Sequence, residues 1–334
     1  APAAAEMGIG IHVLRPRTRY APWSVWSLAR WLREQDVAVL HTHMHQPSLW
    51  GRLAGLVAGT PVMLTTEHGR EAWKGPLRVA VDRLLSRVTS RHIAVSIEGR
   101  QTRIRRERID PRRIVLIPNG IPLPSRPNDP AIAARIRREF GVAPEAPLLG
   151  SVGRVVAEKG YEDMLAALRG LVRIHPGIRW LVVGQGERQT ELARIAHRSG
   201  LDEVVIWAGQ RDDVAEILHA LDIWVMCSVS EGLPVALLEA MAARLPIVAT
   251  RVGGIPDAVA DHEEARLVSP GVPDDLAQAI VGLLDDRAEA SKLAEAARAR
   301  AKRDYGIVGV AARIEALYRE ELVRAGVAGD AGGA

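Results

Sequence analysis

The sequence predicts an α/β protein made of two doubly wound, Rossmann-like domains that face each other across a cleft. Three observations lead to this fold class. The chain has 334 residues, which is long for a single hydrophobic core. Short β-rich segments alternate with helical segments, a pattern typical of parallel sheets that are covered by helices on both faces. A proline-rich segment, NGIPLPSRPNDPA, separates the two halves of this pattern.

Strand-like segments lie on both sides of the proline-rich segment. Those before it are VAVLHTHMH, PVMLTTEH, RHIAVS and RIVLIPNG, and those after it are PLLGSVGR, IRWLVVG, VVIWAG, DIWVMCS, PIVAT and ARLVS. Helical periodicity in the second half predicts helices over YEDMLAALRGLVRIH, ERQTELARIAHRSG, VAEILHAL, PVALLEAMAAR and PDDLAQAIVGLLDD. A last helical segment, IVGVAARIEALYREELVRAG, has no predicted partner, and the tail AGDAGGA is expected to be disordered.

These patterns predict a first domain over residues 1–122, a second over 123–305, and a terminal helix with its tail over 306–334. Ligands of open parallel sheets bind beyond the carboxyl ends of the strands. We therefore expect the loops that follow SVGR, VVG, IWAG and MCS to line the cleft between the domains.

The composition, with 48% apolar and 25% charged residues, is ordinary for a globular protein. One cysteine, Cys227, excludes an internal disulfide and favours a reducing compartment. No apolar run reaches the ~18 residues that a membrane helix needs. The start, APAAAEMG, lacks the basic and hydrophobic regions of a signal peptide. We therefore expect a cytoplasmic protein.

Charge is distributed unevenly along the chain, whose net charge is +4. Residues 1–125 carry 19 Lys and Arg against 9 Asp and Glu, a net +10, which leaves −6 for the remainder. In GPLRVAVDRLLSRVTSRH, arginines recur at helical spacing opposite apolar residues. The arginines are 78, 83, 87 and 91, and the apolar residues are Val79, Leu84, Leu85 and Val88.

The basic segment favours one of two surfaces. It is either a solvated face or a peripheral contact with an anionic acceptor or the headgroups on the inner face of a membrane. Nucleic acid is not an expected partner, because no aromatic residues interleave the basic run over 100–113.

Two cations flank a turn, RVVAEKG, that follows the strand LLGSVG and opens a helix. The side chains are Arg154 and Lys159. Cations beside a helix N-terminus suit a diphosphate, because the backbone amides and the helix dipole add to the attraction. Such a site needs no metal ion. The alternative is a turn whose Arg and Lys face water.

Two glutamates stand around a predicted helix start in SEGLPVALLEA. Pro234 suits the first helical position, which leaves the amides of Gly232 and Leu233 free to bind an anion. Glu239 falls in the second turn, where a carboxylate can accept two hydrogen bonds from a vicinal diol. The alternative is an ion pair between Glu239 and Arg244.

Four blocks of the second half together resemble a known family. They are GRVVAEKG, VVGQGERQTELARIA, WAGQRDDVAEIL and SVSEGLPVALLEAMAARLPIVATRVGGIPD. In order and spacing the chain is similar to the retaining, nucleotide-sugar-dependent glycosyltransferases of family 4, which have the GT-B fold. HTHMH, TTEHG, IAVSIEGRQ and IPNGI look like the acceptor-side domain of that family. The resemblance covers nearly the whole chain.

The resemblance implies that a diphosphate is bound by matching residues of the second domain. Arg154 and Lys159, which follow Gly153, match the pair that holds the donor diphosphate. The amides of Gly232 and Leu233 are expected to stabilise the same leaving group.

The resemblance also implies contacts to the other parts of the donor. Glu239 matches the ligand of the ribose hydroxyls, and Glu231 matches the residue near the transferred sugar. The loop from Gly209 to Arg211 matches the segment whose backbone meets the base. His68 in TTEHG matches a histidine that reaches the donor sugar across the cleft.

The activity implied is transfer of a sugar from a nucleoside-diphosphate-sugar to a hydroxyl of a glycan, lipid-linked or small-molecule acceptor. The resemblance implies retention of anomeric configuration, a role in polysaccharide biosynthesis, and no cofactor or metal. The motifs do not identify the base, the sugar or the acceptor. A GT-B nucleotide-sugar epimerase and an inactive donor-binding protein remain alternatives.

Two departures from the family pattern affect these expectations. The family usually begins with a strand and a glycine-rich loop, which nothing in this sequence matches, so the first elements of the N-terminal domain are expected to be missing. NGIP replaces the usual NG, aliphatic and Asp. Asn119 and Gly120 are therefore given only a hinge role, and Ile121 and Pro122 none.

Other motifs give weaker hypotheses. His41 and His43 alternate at a strand end and could bind zinc, as in metal-dependent hydrolases, with His68 and Asp82 as further ligands. Local hydrogen bonding is the favoured use, since no carbamate-type lysine follows a strand.

Two further patterns give little support to other functions. The segment GQG resembles a dinucleotide loop, but its third glycine position holds Gln189. No D-x-D motif occurs, which argues against a metal-chelated diphosphate. Packing is the favoured use of four tryptophans that could also face an acceptor, at positions 23, 26, 50 and 73.

Overall fold

The structure is a computed structural model that describes residues 6–13, 22–68, 75–124 and 129–327. Within these residues, ten strands form two parallel sheets. All ten lie in segments that the sequence predicts as strands. The predictions for Trp73 and for the tail AGDAGGA fall outside the described residues.

The first sheet is built from the first part of the chain. Its strands are β1 (Val39–His43), β2 (Val62–Glu67), β3 (Arg91–Ala94) and β4 (Ile114–Leu116). They lie side by side in chain order, and every neighbouring pair is parallel. Parallel pairing brings their carboxyl ends to one edge of the sheet.

Two helices that the sequence pattern does not predict cover part of this sheet. Helix α1 (Pro22–Glu34) packs on α2 (His45–Ala58), and α2 packs on β1 and β2. A Cβ on Gly51 would lie 2.5 Å from Thr42 Cγ2, and one on Gly55 would lie 2.6 Å from Met63 Sδ. Glycine at both positions therefore lets α2 lie directly on the strands.

Helix α3 (Pro76–Leu85) carries the basic segment. Leu77 and Leu84 are 79% and 60% exposed, Arg83 is exposed on the same helix, and Arg87 is exposed in the turn that follows it. The prediction that Leu84 lies opposite the arginines is wrong, because the helix turns this leucine to the solvent side with them. The exposed face of α3 is therefore both basic and apolar.

Arg91 does not belong to that exposed face. It begins β3, and its Nη2 lies 3.1 Å from Glu321 Oε1 on the last helix. The predicted alignment with the arginines of α3 fails because α3 ends before Arg91.

Three short helical elements connect β3 to β4. They are helix α4 (Ile97–Thr102), a π-helical turn (Arg103–Glu107) and a 3₁₀ turn (Pro111–Arg113).

The second sheet has six strands and reverses its strand order. The strands are β5 (Leu148–Val152), β6 (Arg179–Val183), β7 (Val205–Gly209), β8 (Ile223–Met226), β9 (Ile247–Thr250) and β10 (Arg266–Val268). From β5 the chain runs to β6 and β7 on one side and then crosses to β8, β9 and β10 on the other. This reversal is the predicted doubly wound topology, and it creates a crevice at the carboxyl ends of β5 and β8.

Helices cover both faces of the second sheet. They are α5 (Pro130–Glu139), α6 (Tyr161–Ile174), α7 (Gln189–Arg198), α8 (Val214–Leu218), α9 (Val235–Ala242), α10 (Ile255–Ala258) and α11 (Pro273–Asp285). Successive strand residues belong to different apolar cores, as Trp224 and Val225 show. Each face of the sheet therefore has its own core, which explains why these strands are apolar throughout.

Helix α12 (Arg287–Asp304) was not predicted from the sequence. Its buried face consists of Leu293 and alanines at 290, 294, 297 and 301. Alanine contributes little to an apolar periodicity, so the pattern that marks the other helices is weak here. The helix packs against α9.

The last helix, α13 (Ile307–Arg324), packs on the first sheet. Val310 and Leu317 form a core with four buried residues of that sheet and of the segment that follows it, Val62, Leu64, Ile93 and Ile117. The chain therefore returns from the second domain to the first.

The two domains are also tied where they are linked. Ile121 N donates to Tyr305 O, and Ile307 N donates to Ile121 O, both at 2.9 Å. Ile121 is fully buried. The sequence pattern assigns this residue no role, whereas in the structure it fixes the linker to the junction of α12 and α13.

Tryptophans of the first domain have two kinds of environment. Trp23 and Trp26 are 61% and 66% exposed on α1, and Trp50 packs against the core between α1 and α2.

No helix in the described part of the chain is long and apolar enough to cross a membrane.

Candidate functional site

Loops from both sheets meet at one cleft. Asn119 Nδ2, beyond β4, donates to Leu233 O, beyond β8, at 2.9 Å. Ile97 N, beyond β3, donates to Asp257 Oδ2 at 2.6 Å. The carboxyl ends of the two sheets therefore face each other, as the sequence predicts.

Two predicted site residues are in direct contact. Lys159 Nζ lies 2.6 Å from Glu231 Oε1, and both side chains are largely buried. The same oxygen accepts a hydrogen bond from Ser228 Oγ at 2.6 Å. The cation expected to hold a diphosphate and the carboxylate expected near the sugar thus form one unit, oriented by a serine that sequence reasoning missed.

Two glycines explain why Lys159 reaches Glu231. Gly160 has φ 61°, and a Cβ there would lie 2.2 Å from Cys227 O. A Cβ on Gly153 would lie 3.1 Å from Lys159 Cε. Only glycine fits at position 160, so the turn after β5 presses against the end of β8.

Arg154 is exposed, and its guanidinium makes no hydrogen bond or ion pair with any residue that the structure describes. A side chain on Gly153, directly before it, would crowd Lys159. Arg154 therefore has a guanidinium available for an anion, and its contact with a diphosphate stays a prediction.

The loop before α9 presents free backbone donors. The amides of Gly232 and Leu233 have no acceptor among the described residues. Helix α9 begins at Val235, and Pro234 precedes it with ψ 122°. The prediction that Pro234 is the first helical residue is wrong by one position, because its backbone is extended. The two amides are nevertheless free, as expected.

A glycine pair supports this loop from behind. Gly254 N donates to Gly232 O at 2.7 Å. A Cβ on Gly253 would lie 2.0 Å from Glu231 O, and one on Gly254 would lie 2.5 Å from Gly232 O. The segment RVGGIPD therefore acts as a backbone platform beneath the loop.

Glu239 is half-buried, and this burial raises the pKa of its carboxyl group. It makes no ion pair with a described residue, because Arg244 Nη2 instead lies 2.5 Å from Glu295 Oε1. The alternative of an ion pair between Glu239 and Arg244 is therefore wrong. Glu239 lines a cavity of about 170 Å³ between α8, α9 and the linker, where a diol could reach it.

In the loop after β7, the Arg211 side chain is held by two carboxylates. Gly209 has φ 68° and its carbonyl accepts from Gly184 N at 2.7 Å. Arg211 Nη2 lies 2.7 Å from Asp213 Oδ2, and its Nη1 lies 2.8 Å from Glu139 Oε1. The guanidinium therefore holds the loop in place. Contact of the loop backbone with a base stays a prediction.

His68 is linked to both domains. Its Nε2 lies 3.0 Å from His43 Nδ1, and its Nδ1 lies 3.0 Å from Asn119 Oδ1. Asn119 in turn donates to Leu233 O. Through Asn119, for which the sequence predicts only a hinge role, the structure brings His68 next to the loop over 231–234, the predicted anion-binding loop. Contact of His68 with a donor sugar stays a prediction.

His41 and His43 share one face of β1, with ring centroids 4.3 Å apart. Burial and then the charges of His43 and His68 lower the pKa of His41 to about 4. Burial and His68 also lower the pKa of His43. The His41 nitrogens contact Tyr318 Oη at 2.5 Å and Thr66 Oγ1 at 2.7 Å. Because both nitrogens of His41 have partners, this pair is poorly suited to a metal.

Three other candidate metal ligands lie close together in the first domain. Atoms of His45, Glu67 and Asp82 lie within 4.8 Å of one another. Asp82 Oδ1 lies 2.5 Å from Arg52 Nη2, and Glu67 Oε1 lies 2.7 Å from Arg103 Nη2. Both carboxylates already have guanidinium partners, so the group is a buried ion-pair network of the first domain.

Family models match both halves of the chain. The model described as "Glycosyl transferases group 1" matches residues 133–300, and the model described as "Glycosyltransferase Family 4" matches residues 2–124. The two matches fall on the two sheets and their helices.

Named relatives extend over most of the chain. An alpha-maltose-1-phosphate synthase from Mycolicibacterium smegmatis is 30% identical over 86% of this chain and 80% of its own length. A 2-deoxystreptamine glucosyltransferase from Streptomyces kanamyceticus is 29% identical over 82% and 75%. An Escherichia coli UDP-Gal:alpha-D-GlcNAc-diphosphoundecaprenol alpha-1,3-galactosyltransferase is 26% identical over 90% and 80%. None of these three is named an epimerase.

Solved structures share the fold. HepE from Anabaena, solved with UDP-glucose, superposes with a TM-score of 0.87 at 22% identity and covers 96% of this chain and 88% of its own. A glycosyltransferase from Rickettsia africae gives 0.83 at 20% identity, covering 96% and 87%. The two-domain arrangement described above is therefore that of GT-B proteins.

Proposed function

Because this chain belongs to the family 4 glycosyltransferases, we propose that it moves a hexosyl group from a nucleoside-diphosphate-sugar to an acceptor hydroxyl. The proposed reaction retains the anomeric configuration and needs no metal ion. One observation carries the proposal. Lys159 contacts Glu231 directly before a loop whose Gly232 and Leu233 amides are free, at the crevice between β5 and β8.

The charge balance of this crevice suits a diphosphate. Glu231 compensates Lys159, while Arg154 has no partner in the described part of the chain. A bound diphosphate would bring negative charge that Arg154, the ammonium and the two amides can share.

The same groups are suited to stabilise the transition state. As the bond between the anomeric carbon and the phosphate oxygen breaks, negative charge grows on that oxygen. Fixed donors aimed at this charge favour the transition state over the bound substrate. Lys159 and Arg154 supply the positive charge that a metal ion supplies in other sites, and this supports a metal-independent reaction.

Retention fits the position of the nearest carboxylate. Glu231 Oε1 is held by both Lys159 and Ser228, so it is a positioned hydrogen-bonding group rather than an uncommitted nucleophile. In the proposed step, the acceptor oxygen bonds to the anomeric carbon on the face that the phosphate leaves. The acceptor proton passes to the departing phosphate oxygen.

The donor nucleotide is proposed to place its ribose hydroxyls on Glu239. The carboxylate has no ion-pair partner among the described residues and faces a cavity. HepE was solved with UDP-glucose, and one relative is named for a UDP-Gal donor. UDP-sugars are therefore the first donors to test.

The acceptor is proposed to be a glycan or a lipid-linked sugar. Exposed Leu77, Leu84 and Arg83 on α3, with exposed Arg87 in the turn after it, form a surface that fits anionic headgroups. Vesicles with and without anionic lipid test this contact. The variant Arg83→Gln/Arg87→Gln should lose the preference for anionic vesicles, and equal binding by both proteins would exclude α3 as the contact.

Transfer itself is tested with a donor and acceptor panel. Purified protein is incubated with UDP-, GDP- and ADP-sugars, with lipid-linked and soluble acceptors, with and without EDTA. We expect nucleoside diphosphate and a glycosylated product in equal amounts, unchanged by EDTA, and NMR should show the donor anomer retained. An inverted anomer or loss of activity in EDTA would contradict the corresponding part of the proposal.

A further inference from the structure

We propose that Asn119 is a positioning residue that holds the ring proton of His68 on Nδ1, which makes His68 Nε2 a hydrogen-bond acceptor in the cleft. This inference rests on the proposed function, because it assigns the chemical role that His68 has toward a donor sugar. It follows from three connected hydrogen bonds.

The first bond fixes the orientation of the Asn119 amide. Its Nδ2 donates to Leu233 O at 2.9 Å. The opposite orientation would set the side-chain oxygen against the Leu233 carbonyl oxygen, and two acceptors at that distance repel each other. The oxygen of Asn119 is therefore the atom that faces His68.

The second bond fixes the tautomer of His68. Asn119 Oδ1 lies 3.0 Å from His68 Nδ1 and can only accept a hydrogen bond. His68 Nδ1 must carry the proton. In a neutral imidazole the other nitrogen then has a lone pair. His68 Nε2 is therefore an acceptor.

The third bond shows that Nε2 acts in this way already. It lies 3.0 Å from His43 Nδ1, so the proton between them belongs to His43. His41 of β1 lies against His43, with ring centroids 4.3 Å apart, and its own nitrogens contact two uncharged side chains, Thr66 and Tyr318. Burial lowers the pKa of His43, which favours its neutral form at neutral pH.

The consequence concerns the substrate. A sugar hydroxyl that enters the cleft can replace His43 as the donor to His68 Nε2. His68 would then accept a hydrogen bond from the sugar rather than donate one. Because the same amide is tied to Leu233, Asn119 also sets the position of His68 relative to the anion-binding loop.

The tautomer can be measured directly. Protein labelled with ¹⁵N-histidine is examined by long-range ¹H–¹⁵N NMR near pH 7, and the His68 signals are assigned by their loss in His68→Gln. We expect His68 with the proton on Nδ1. A proton on Nε2 in the wild-type protein overturns the proposal without any further variant.

Three variants separate the bonds. Asn119→Ala removes the bonds to Leu233 O and to His68 Nδ1, and the NMR signals of His68 should no longer show the proton on Nδ1. Asn119→Asp keeps an acceptor toward His68 and should retain it. Asp257→Ala removes a different bond between the domains, to Ile97 N, and should leave the His68 signals unchanged. An unchanged tautomer in Asn119→Ala, or the same loss in Asp257→Ala, contradicts a specific role of Asn119.

Kinetics supply an independent readout. Asn119→Ala should lower kcat for transfer by about 5- to 150-fold, as expected when two neutral hydrogen bonds of about 0.5–1.5 kcal/mol each are lost. The Kd for nucleoside diphosphate should change less than about twofold, since Arg154, Lys159 and Glu239 remain. An unchanged kcat overturns the proposal. If the wild-type protein binds no nucleoside diphosphate, the proposed function fails, whereas the tautomer still decides the inference about Asn119.

Discussion

The two walls of the cleft use different chemistry. On the second domain, Lys159 and Glu231 are charged, in contact and oriented by Ser228. On the first domain, His41 is half-buried and His43 is exposed, and the pKa of each is lowered, so both are uncharged near neutral pH. One wall therefore presents fixed charges, and the other presents neutral hydrogen-bonding groups.

This difference matches the two parts of the proposed donor. A diphosphate is an anion, and fixed cations with free amides are its best receptor. A sugar is neutral, and neutral donors and acceptors can bind it without the cost of removing a charge from water. If the assignment of the walls is right, changes on the two sides should have different signatures.

The largest effect is expected on the charged wall. Lys159→Ala should lower kcat by about 10²–10³-fold, because the leaving oxygen loses a donor. Arg154→Ala should have an effect of similar size without disturbing Glu231. Lys292→Ala, on the exposed side of α12, is the matched control. A Lys159→Ala enzyme as active as this control would remove the charged wall from the mechanism.

Glu239→Gln should weaken nucleoside diphosphate binding by about 10- to 100-fold, measured by calorimetry, if charge-assisted bonds of about 1.5–3 kcal/mol are lost. The same substitution should increase stability. Burial raises the pKa of Glu239 above its pKa in the unfolded chain. The stability that the Glu239 carboxyl contributes is therefore lost as pH rises from the unfolded pKa through the folded pKa.

At pH 7 the variant Glu239→Gln should therefore melt at a higher temperature than the wild-type protein while binding nucleotide less tightly. Exposed Glu203→Gln should change neither property. Equal nucleotide affinity in wild type and Glu239→Gln would exclude the ribose role of Glu239.

Ser228→Ala tests how far the orientation of the charged pair matters. Glu231 would keep Lys159 but lose a charge-assisted hydrogen bond, and we expect kcat to fall about tenfold. Ser86→Ala removes a surface hydroxyl contact in the first domain and serves as the control. Unchanged kcat in Ser228→Ala would show that Lys159 alone orients Glu231.

On the neutral wall, the expected effect is a pH dependence of stability. The folded pKa of His41 is about 4 against 6.5 unfolded, so the unfolded chain binds the extra proton. Stability should fall as pH drops from 6.5 toward 4, by at most about 1.4 kcal/mol per pH unit for this group. Urea unfolding of His41→Gln should show a shallower slope over this range, and an identical slope would contradict a neutral His41.

Much of the fold follows from local patterns. Every described strand lies in a segment whose apolar run is bounded by loop residues, as in IRWLVVG and DIWVMCS. Helix α12 is not predicted from the sequence, because alanines form most of its buried face. The exposure of Leu84 is not predicted either, because periodicity alone does not say which face of α3 is covered.

The site was only partly visible from the sequence. Lys159, Glu231 and the free amides of Gly232 and Leu233 could be identified because family motifs place them in fixed local contexts. Ser228 stands three residues from Glu231, in the same motif, but a serine carries no signal that separates it from others. Asn119 was visible only as part of a hinge.

The sequence by itself determined the alternation of strands and helices, the linker and the residue types available to bind a diphosphate, because these depend on short-range periodicity and composition. Tertiary structure alone decided which of those residues touch. Lys159 meets Glu231 across 72 positions, and His41 meets Tyr318 across 277. Such distances are set by how sheets and helices pack, and close packing is a property of the whole molecule that no local pattern contains.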